Sequence, residues 1–203
     1  SWIDATETKP TVADVSQTVA PATATTITIT GINFVSIPQV EFIKTDGSVT
    51  VANTVSFTSA TSLQVNVTLA SGNYHVRIEN PDGNAGRSTN NIITASTAPS
   101  FSTAAGSLGT IAGNFSGTVA TVAGSSDSSI TFSEVTSVLT NASQANCSLA
   151  SNGVITTSDF GGSSTTPTTY NFTLRITDAE GQTVDRAFSL TSSFGATGGG
   201  QFN

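Results

Sequence analysis

The sequence has 203 residues, of which 36% are hydrophobic and only 9% are charged, and its formal net charge at pH 7 is −7. Globular proteins usually carry about a quarter charged residues, so Ser, Thr, Asn and Gly must cover much of this surface. The six Lys and Arg residues form no cluster, which argues against nucleic-acid binding, because phosphate neutralisation needs a basic footprint. No apolar run approaches the roughly 20 residues of a bilayer span, so we expect no membrane insertion.

The residue usage predicts the fold class. Met is absent and other good helix formers are scarce, whereas the abundant Thr and Ser favour strands and turns. We therefore predict an all-β protein, and its length suits two sandwich domains of about 100 residues each. The single cysteine, Cys147, cannot form an internal disulfide, and we expect it to be a small buried side chain rather than a reactive thiol.

The stretch 26–34, Thr-Ile-Thr-Ile-Thr-Gly-Ile-Asn-Phe, carries the clearest strand pattern of the first half. Ile27 and Ile29 fall on one face, and the threonines fall on the other, which is the two-residue period of a half-buried strand. Gly31 and Asn33 then mark a turn, because both tolerate backbone angles that other residues avoid.

Other short strands precede and follow this stretch. Alternating apolar residues predict them from Pro10 and at 39–44, 49–57, 62–69, 73–79 and 87–95. Asp46-Gly47 and Asn80-Pro81-Asp82-Gly83 separate some of them as turns. About seven short strands over roughly 90 residues are typical of an immunoglobulin-like sandwich.

A second apolar series follows the short linker 97–100. Its cleanest strand is 170–177, in which Tyr170, Phe172, Leu174 and Ile176 share one face. Arg186 conflicts with the pattern of the returning strand, because it has the inward parity of Val184 and Phe188. A bulge within 182–186, or a partner such as Asp178, would remove this conflict.

The two halves share a last hairpin. Residues 76–83 match residues 174–181 at a constant spacing of 98 (174 − 76), which supports tandem sandwiches. The predicted domains are 1–96 and 97–191, joined as a semi-rigid rod, with a Gly-rich tail at 192–203. That tail is either flexible or an arm whose Phe194 and Phe202 dock on a neighbouring subunit.

The chemistry-bearing residues are few. His75 is the only histidine and falls on an outward strand face, with no Gly-x-Ser-x-Gly motif to serve. One His and one Cys cannot supply a zinc site alone. Calcium is the better candidate, with Asp178 and Glu180 as oxygen ligands and Asp82 in the corresponding hairpin, but turn formation explains these acids adequately. We therefore predict no enzyme activity and no catalytic, cofactor-binding or metal-binding residues.

Two family resemblances follow from these residues. Residues 9–95 resemble the IPT/TIG immunoglobulin-like domains through the 26–34 stretch, Val40-Glu41-Phe42 and the turn 80–83. Residues 98–191 resemble cadherin-like immunoglobulin domains through Pro99-Ser100-Phe101 and a late strand ending in Thr177-Asp178-Ala179-Glu180-Gly181. Tandem domains of these two kinds imply a bacterial surface protein or a virion protein of a tailed phage. The Lys-poor, Gly/Ser/Thr-rich composition is similar to that of structural proteins of marine cyanophages.

These resemblances lead to a functional expectation. The chain would be a non-enzymatic virion protein, a decoration or fibre at the particle surface, contacting other subunits through edge strands or its C-terminal tail. The alternative is an adhesin or glycan-binding module at a bacterial or other extracellular surface, with a host-surface glycan as partner. Trp2 would then be a candidate docking anchor, although a frayed terminus is the simpler interpretation.

Overall fold

The computed structural model describes residues 8–193, and every helix or strand in that range is a β-strand. The chain divides into two compact units between Thr97 and Ala98, one residue from the predicted boundary. Because every described element is a strand, the all-β prediction is confirmed. Trp2, Phe194 and Phe202 lie outside the described residues.

The first unit contains ten strands in two sheets. The four-stranded sheet has the order β1-β3-β7-β6, and the six-stranded sheet has the order β2-β10-β8-β4-β5, with β9 also paired to β8. The strands are β1 (Thr11–Val12), β2 (Gln17–Val19), β3 (Thr25–Ile32), β4 (Gln39–Lys44), β5 (Val49–Val51), β6 (Thr54–Ser59), β7 (Ser62–Val67), β8 (Gly72–Glu79), β9 (Ala85–Arg87) and β10 (Ile93–Ala95).

The alternation of β3 determines how the four-stranded sheet packs. Ile27 and Ile29 are buried, and they lie opposite Val65 and Leu63 of β7 in the antiparallel register. Phe42, Val76 and Ile78 of the six-stranded sheet belong to the same core. Burying each such aliphatic side chain contributes roughly 1.5–3 kcal/mol to folding, so the pattern in the sequence also locates the source of stability.

The outer face of the four-stranded sheet is polar but almost free of charge. Gln64 Nε2 donates to Thr28 Oγ1 at 2.8 Å, and Asn66 Nδ2 donates to Thr26 Oγ1 at 3.1 Å. Asn53 Nδ2 in turn donates to Asn66 Oδ1 at 3.0 Å. Cross-strand pairs of this kind stabilise a sheet, so hydrogen-bonded amides and hydroxyls take the place of ion pairs here.

The strand count of the first unit exceeds the predicted seven because several predicted segments divide into two strands. The segment 49–57 divides into β5 in one sheet and β6 in the other. Ala52 and Asn53 make the transfer, and their backbone amides donate to Val40 O and Asn66 O, one in each sheet. Alternation alone does not reveal such a division, because both strands keep the same period.

The second unit contains nine strands in three sheets. Their orders are β11-β14, β12-β19-β18-β15 and β13-β17-β16. The strands are β11 (Ser100–Phe101), β12 (Gly106–Ala112), β13 (Gly117–Thr121), β14 (Gly124–Ser125), β15 (Ile130–Glu134), β16 (Cys147–Leu149), β17 (Val154–Thr157), β18 (Thr168–Asp178) and β19 (Thr183–Ser193).

The core of the second unit is built around β18, as its alternation predicts. Tyr170, Phe172, Leu174 and Ile176 are all buried. Phe101 packs edge-on against Phe188 and Phe132, with ring centroids 5.5 and 6.2 Å apart. Aromatic pairs in this geometry add about 0.5–1.5 kcal/mol beyond their buried area.

The structure corrects the interpretation of Arg186. The ladder between β18 and β19 is continuous from Thr168↔Ser192 to Thr177↔Thr183, so the bulge prediction is wrong. The Arg186 side chain binds a different partner from Asp178. Arg186 Nη1 donates to Thr103 O at 2.7 Å, and the Arg186 guanidinium lies 5.4 Å from the Phe101 ring centroid. A carbonyl and an aromatic face therefore compensate the half-buried charge.

The start of the predicted tail also needs correction. β19 continues to Ser193, so it includes the first two residues of the tail predicted at 192–203. Ser192 is fully buried, and its hydroxyl accepts a hydrogen bond from Thr168 N at 3.1 Å. This contact extends the pairing of β18 and β19 through polar residues whose sequence is typical of a loop.

The repeated hairpin is confirmed in backbone detail. In the first unit Gly83 N donates to Asn80 O and Asn80 N donates to Asn84 O. In the second unit Gly181 N donates to Asp178 O and Asp178 N donates to Gln182 O. Gly83 and Gly181 have φ angles of 87° and 88°, which glycine adopts without steric cost.

The side chains at the start of the two turns have different roles. Asn80 is buried and bridges to the loop after β3: its Nδ2 donates to Asn33 O at 2.8 Å, and its Oδ1 accepts from Val35 N at 3.0 Å. Asp178 instead accepts hydrogen bonds from within its own turn. Asn80 therefore connects the two sheets of the first unit.

We expect Asn80→Ala to destabilise the first unit by about 1–3 kcal/mol, because it removes two part-buried hydrogen bonds, each worth about 0.5–1.5 kcal/mol. Calorimetric unfolding of the full chain measures the effect. Asn53→Ala is the matched control, since Asn53 is exposed and its loss should cost within about 0.5 kcal/mol. Equal losses in both variants would contradict the bridging role of Asn80.

Candidate functional site

Three carboxylates converge in the second unit. Asp127, Asp178 and Glu180 each offer an oxygen, and these oxygens lie within 4.8 Å of one another. Asp127 comes from the Ser-rich loop before β15, and the other two acids come from the β18–β19 turn. The structure thus brings Asp178 and Glu180 together as expected and adds Asp127, which the sequence analysis did not identify.

The carboxylates of Asp178 and Glu180 also accept hydrogen bonds in and beside the turn. Asp178 Oδ1 accepts from Gln182 N at 2.7 Å and from Glu180 N at 3.1 Å. Ser128 Oγ donates to Glu180 Oε2. Calcium takes six to eight oxygen ligands, and the oxygens nearest the turn are already hydrogen-bond acceptors. Asp82 lies in the other unit, where its Oδ1 accepts from Asn84 N at 2.9 Å.

We expect Asp178 to act as a turn cap. Asp178→Asn keeps an acceptor oxygen and should retain most of the stability, whereas Asp178→Ala should lose about 1–2 kcal/mol, because two backbone amides lose their acceptor. Melting temperatures with and without millimolar calcium measure this. A calcium-induced rise in the wild type that Asp178→Asn abolishes would contradict capping as the main role.

His75 and Cys147 have structural surroundings. His75 is half-buried, and its Nδ1 lies 2.9 Å from Ser88 O. Cys147 is buried, as predicted, and burial raises the pKa of its thiol to about 11. Because the thiolate is the reactive form, this cysteine is poorly suited to nucleophilic chemistry at neutral pH.

Glu134 forms the densest hydrogen-bond site around a single side chain among the acids of the second unit that we describe, and the sequence analysis missed it. Its carboxylate accepts five hydrogen bonds: Val138 N (2.8 Å), Leu139 N (2.7 Å), Thr140 N (2.9 Å) and the hydroxyls of Thr136 (2.9 Å) and Thr140 (2.7 Å). It therefore organises the loop after β15. An acid followed by a Ser/Thr-rich segment was the available signal.

The environment of Glu134 affects its ionisation. Burial by itself raises the pKa of the carboxyl, but hydrogen bonds from Val138, Thr140 and Leu139 outweigh burial, and the net pKa lies below the ordinary value. The folded state thus favours the ionised form. Stability from this group is complete above the ordinary value, near 4.5, and is lost as the pH falls through the lower folded value.

We expect Glu134→Gln to destabilise the second unit by about 2 kcal/mol at pH 7. The new NH₂ group is a hydrogen-bond donor, and it would face backbone N–H and hydroxyl groups that now donate to a carboxylate oxygen. The difference from wild type should shrink as the pH falls below about 4.5, where the wild-type carboxyl also becomes protonated. Thermal unfolding from pH 7 to pH 3 tests this. A difference that does not change with pH would count against the ionised acceptor.

Aliphatic side chains are exposed at several places in the first unit. Ile37 is 61% exposed, and Val49 and Val51 on β5 are each 53% exposed. Ile32 and Val35 flank the turn that Asn80 holds in place, and both are about half exposed. Scattered exposed aliphatics need no explanation, but two on the same face of an edge strand form a contact surface.

A shallow groove of about 550 Å³ lies on the outer face of the β12-β19-β18-β15 sheet. Small outward side chains of β18 and β19, including Thr173 and Ala187, form its floor, and Gly106 lies at its side. Its lining contains no titratable side chain. The groove thus offers shape and apolar surface but no acid or base.

Comparisons with solved structures return extracellular domains and fragments of titin. Extracellular domains 3–5 of Drosophila OTK are 16% identical, with 90% of this chain and 59% of that chain covered and a TM-score of 0.46. Extracellular cadherin domains 1–4 of protocadherin gamma B7 are 12% identical, covering 92% and 51%, with a TM-score of 0.39. This chain therefore spans little more than half of either structure.

The titin I-band fragment I67–I69 is 13% identical, with 91% of this chain and 63% of that chain covered and a TM-score of 0.37. No protein-family model matches the sequence, and no curated protein matches it. Within residues 8–193, no helix is long and apolar enough to cross a membrane.

Proposed function

We propose that the chain is a non-enzymatic structural protein of a tailed-phage virion, displayed at the particle surface as a decoration or fibre. The observation that carries this proposal is the exposed, aliphatic edge strand β5, because it offers main-chain hydrogen bonds and apolar surface to another protein. The virion setting itself rests on the Lys-poor, Gly/Ser/Thr-rich sequence.

The arrangement of polar groups supports a mechanical role. Among the described residues, His75, Asp178 and Glu134 all make hydrogen bonds that hold turns or neighbouring strands. Cys147 is buried. Groups that could transfer protons or attack a substrate are thus occupied in building the sandwiches, whereas the exposed apolar side chains are free for contacts.

The second candidate is an adhesin or glycan-binding module of a bacterial or other extracellular surface. The open groove of about 550 Å³ beside Thr173 and Ala187 favours it. Glycan sites commonly use exposed aromatic rings, and the groove presents small side chains instead. The proposal of a virion structural protein is therefore the better supported of the two.

We expect the chain to be present in purified virions at a fixed copy number, measured by quantitative mass spectrometry of particles through successive gradient steps. Loss of the chain during purification would contradict the virion proposal. A glycan array of the full chain serves as the second measurement. Specific binding that Thr173→Trp removes, by filling the groove, would favour the adhesin.

A further inference from the structure

Strand β5 is the terminal strand at one edge of the six-stranded sheet, and β2 is the terminal strand at the other. Lys44 N donates to Ser48 O at 2.8 Å, and Ala52 N donates to Val40 O at 3.0 Å. Backbone groups alternate along an antiparallel ladder, so Thr50, midway between Ser48 and Ala52, also directs its N–H and C=O toward β4. Val49 and Val51 therefore direct theirs away from the sheet.

We propose that two copies of this chain pair through β5, antiparallel, about a two-fold axis that passes at Thr50. The inference rests on the proposed contact function, because it names the first partner of that function as a second copy. The two six-stranded sheets would join into one continuous sheet across the axis.

The edge is self-complementary in its hydrogen bonding. With Thr50 opposite Thr50 of the partner subunit, Val49 of each copy faces Val51 of the other. Each such pair exchanges two N–H···O=C bonds, which gives four across the axis and uses every outward backbone group of β5. A partner strand in any other register would leave part of this three-residue edge unpaired.

The side chains are also complementary. On the outer face Val49 is beside Ile43, and Val51 is beside Glu41, whose carboxylate lies 3.6 Å from Arg77. Pairing about Thr50 brings the four valines of the two copies together at the axis. In each copy Ile43 and the Glu41–Arg77 pair lie one strand further out, on opposite sides of the axis. An apolar centre with a polar rim is the usual anatomy of a protein interface.

Charge favours this face for self-association. The strands of the six-stranded sheet carry three cations and two acids, a sum of +1 (3 − 2). The cations are Lys44, Arg77 and Arg87. The whole chain carries −7, so copies repel one another over most of their surface. Contact through a nearly neutral face avoids most of this repulsion.

Several other sheet edges are interrupted or covered. The ladders of β6, β12 and β13 each contain a register shift, and such irregularities hinder pairing with another chain. Phe132 N of β15 donates to Ser151 O, and Cys147 N of β16 donates to Leu139 O. β5 has neither kind of protection, and its outward side chains are aliphatic.

A three-residue edge makes a small interface, and interfaces below about 1,200 Å² are weak. We expect sedimentation velocity of the full chain to show a monomer at low concentration that shifts toward a dimer as the concentration rises. On a particle, fixed neighbours would raise the effective concentration.

Disulfide trapping tests the register. Facing residues in a non-hydrogen-bonded pair have Cα atoms about 4.5 Å apart, within the disulfide range, so Thr50→Cys should give covalent dimers under mild oxidation. Val49→Cys should give several-fold fewer, because symmetry places the two Val49 positions diagonally, about 7–8 Å apart. The native Cys147 is buried and leaves the background low.

Val135→Cys is the matched control for random collision, since Val135 is 49% exposed in the other unit. Val51→Pro added to Thr50→Cys should abolish trapping, because proline removes an outward donor while the bonds to β4 remain. Equal trapping at residues 49, 50 and 135, or a monomer at every concentration, would overturn the inference.

The outcomes distinguish the inference from the proposed function. A chain that is monomeric in solution and untrapped, yet present in virions at fixed copy number, would retain the function and lose the β5 dimer. A trapped dimer that never occurs in virions would retain the dimer and lose the virion role. Binding of β5 only to an acidic partner protein would also overturn self-pairing.

Discussion

Each sheet in this protein buries one face only, and that constraint governs the rest of the structure. A strand with a two-residue period can satisfy it only if apolar side chains alternate with side chains that tolerate water. Ile27 and Ile29 in β3, and Phe172 and Leu174 in β18, are buried in this way. A shift of register by one residue would expose all of them, so the alternation fixes the pairing as well as the core.

The polar faces show how a chain with so few charges keeps its backbone and side chains satisfied. Threonine, asparagine and glutamine bond across strands, as between Gln64 and Thr28, and acids cap turns, as Asp178 and Glu134 do. Among the described residues, no buried side-chain nitrogen or oxygen lacks a hydrogen-bond partner. Unpaired buried polar atoms cost about 1–3 kcal/mol each, and hydrogen bonding of this kind avoids the cost mainly through uncharged side chains and turn-capping acids.

The polar side chains of the interior and the edge strand β5 differ in their surroundings. His75, Asp178 and Glu134 are held in structural hydrogen bonds, whereas β5 presents aliphatic side chains and outward backbone groups. The acidic group formed by Asp127, Asp178 and Glu180 shows the limits of interpretation by residue type, because carboxylate oxygens of Asp178 and Glu180 already accept hydrogen bonds in and beside the turn.

The sequence by itself determined the fold class, the inward residues of the longest strands and the repeated hairpin, because alternation and turn residues act over a few neighbouring positions. The tertiary structure alone decided the division of 49–57 between two sheets, the contact of Arg186 with Thr103 O, and the meeting of Asp127 with Asp178. It also decided that Asn80 bridges to a distant loop while Asp178 caps its own turn. Apart from the Asp178 cap, these features depend on contacts between residues more than ten positions apart, and a local pattern carries no information about which distant group will lie within hydrogen-bonding distance.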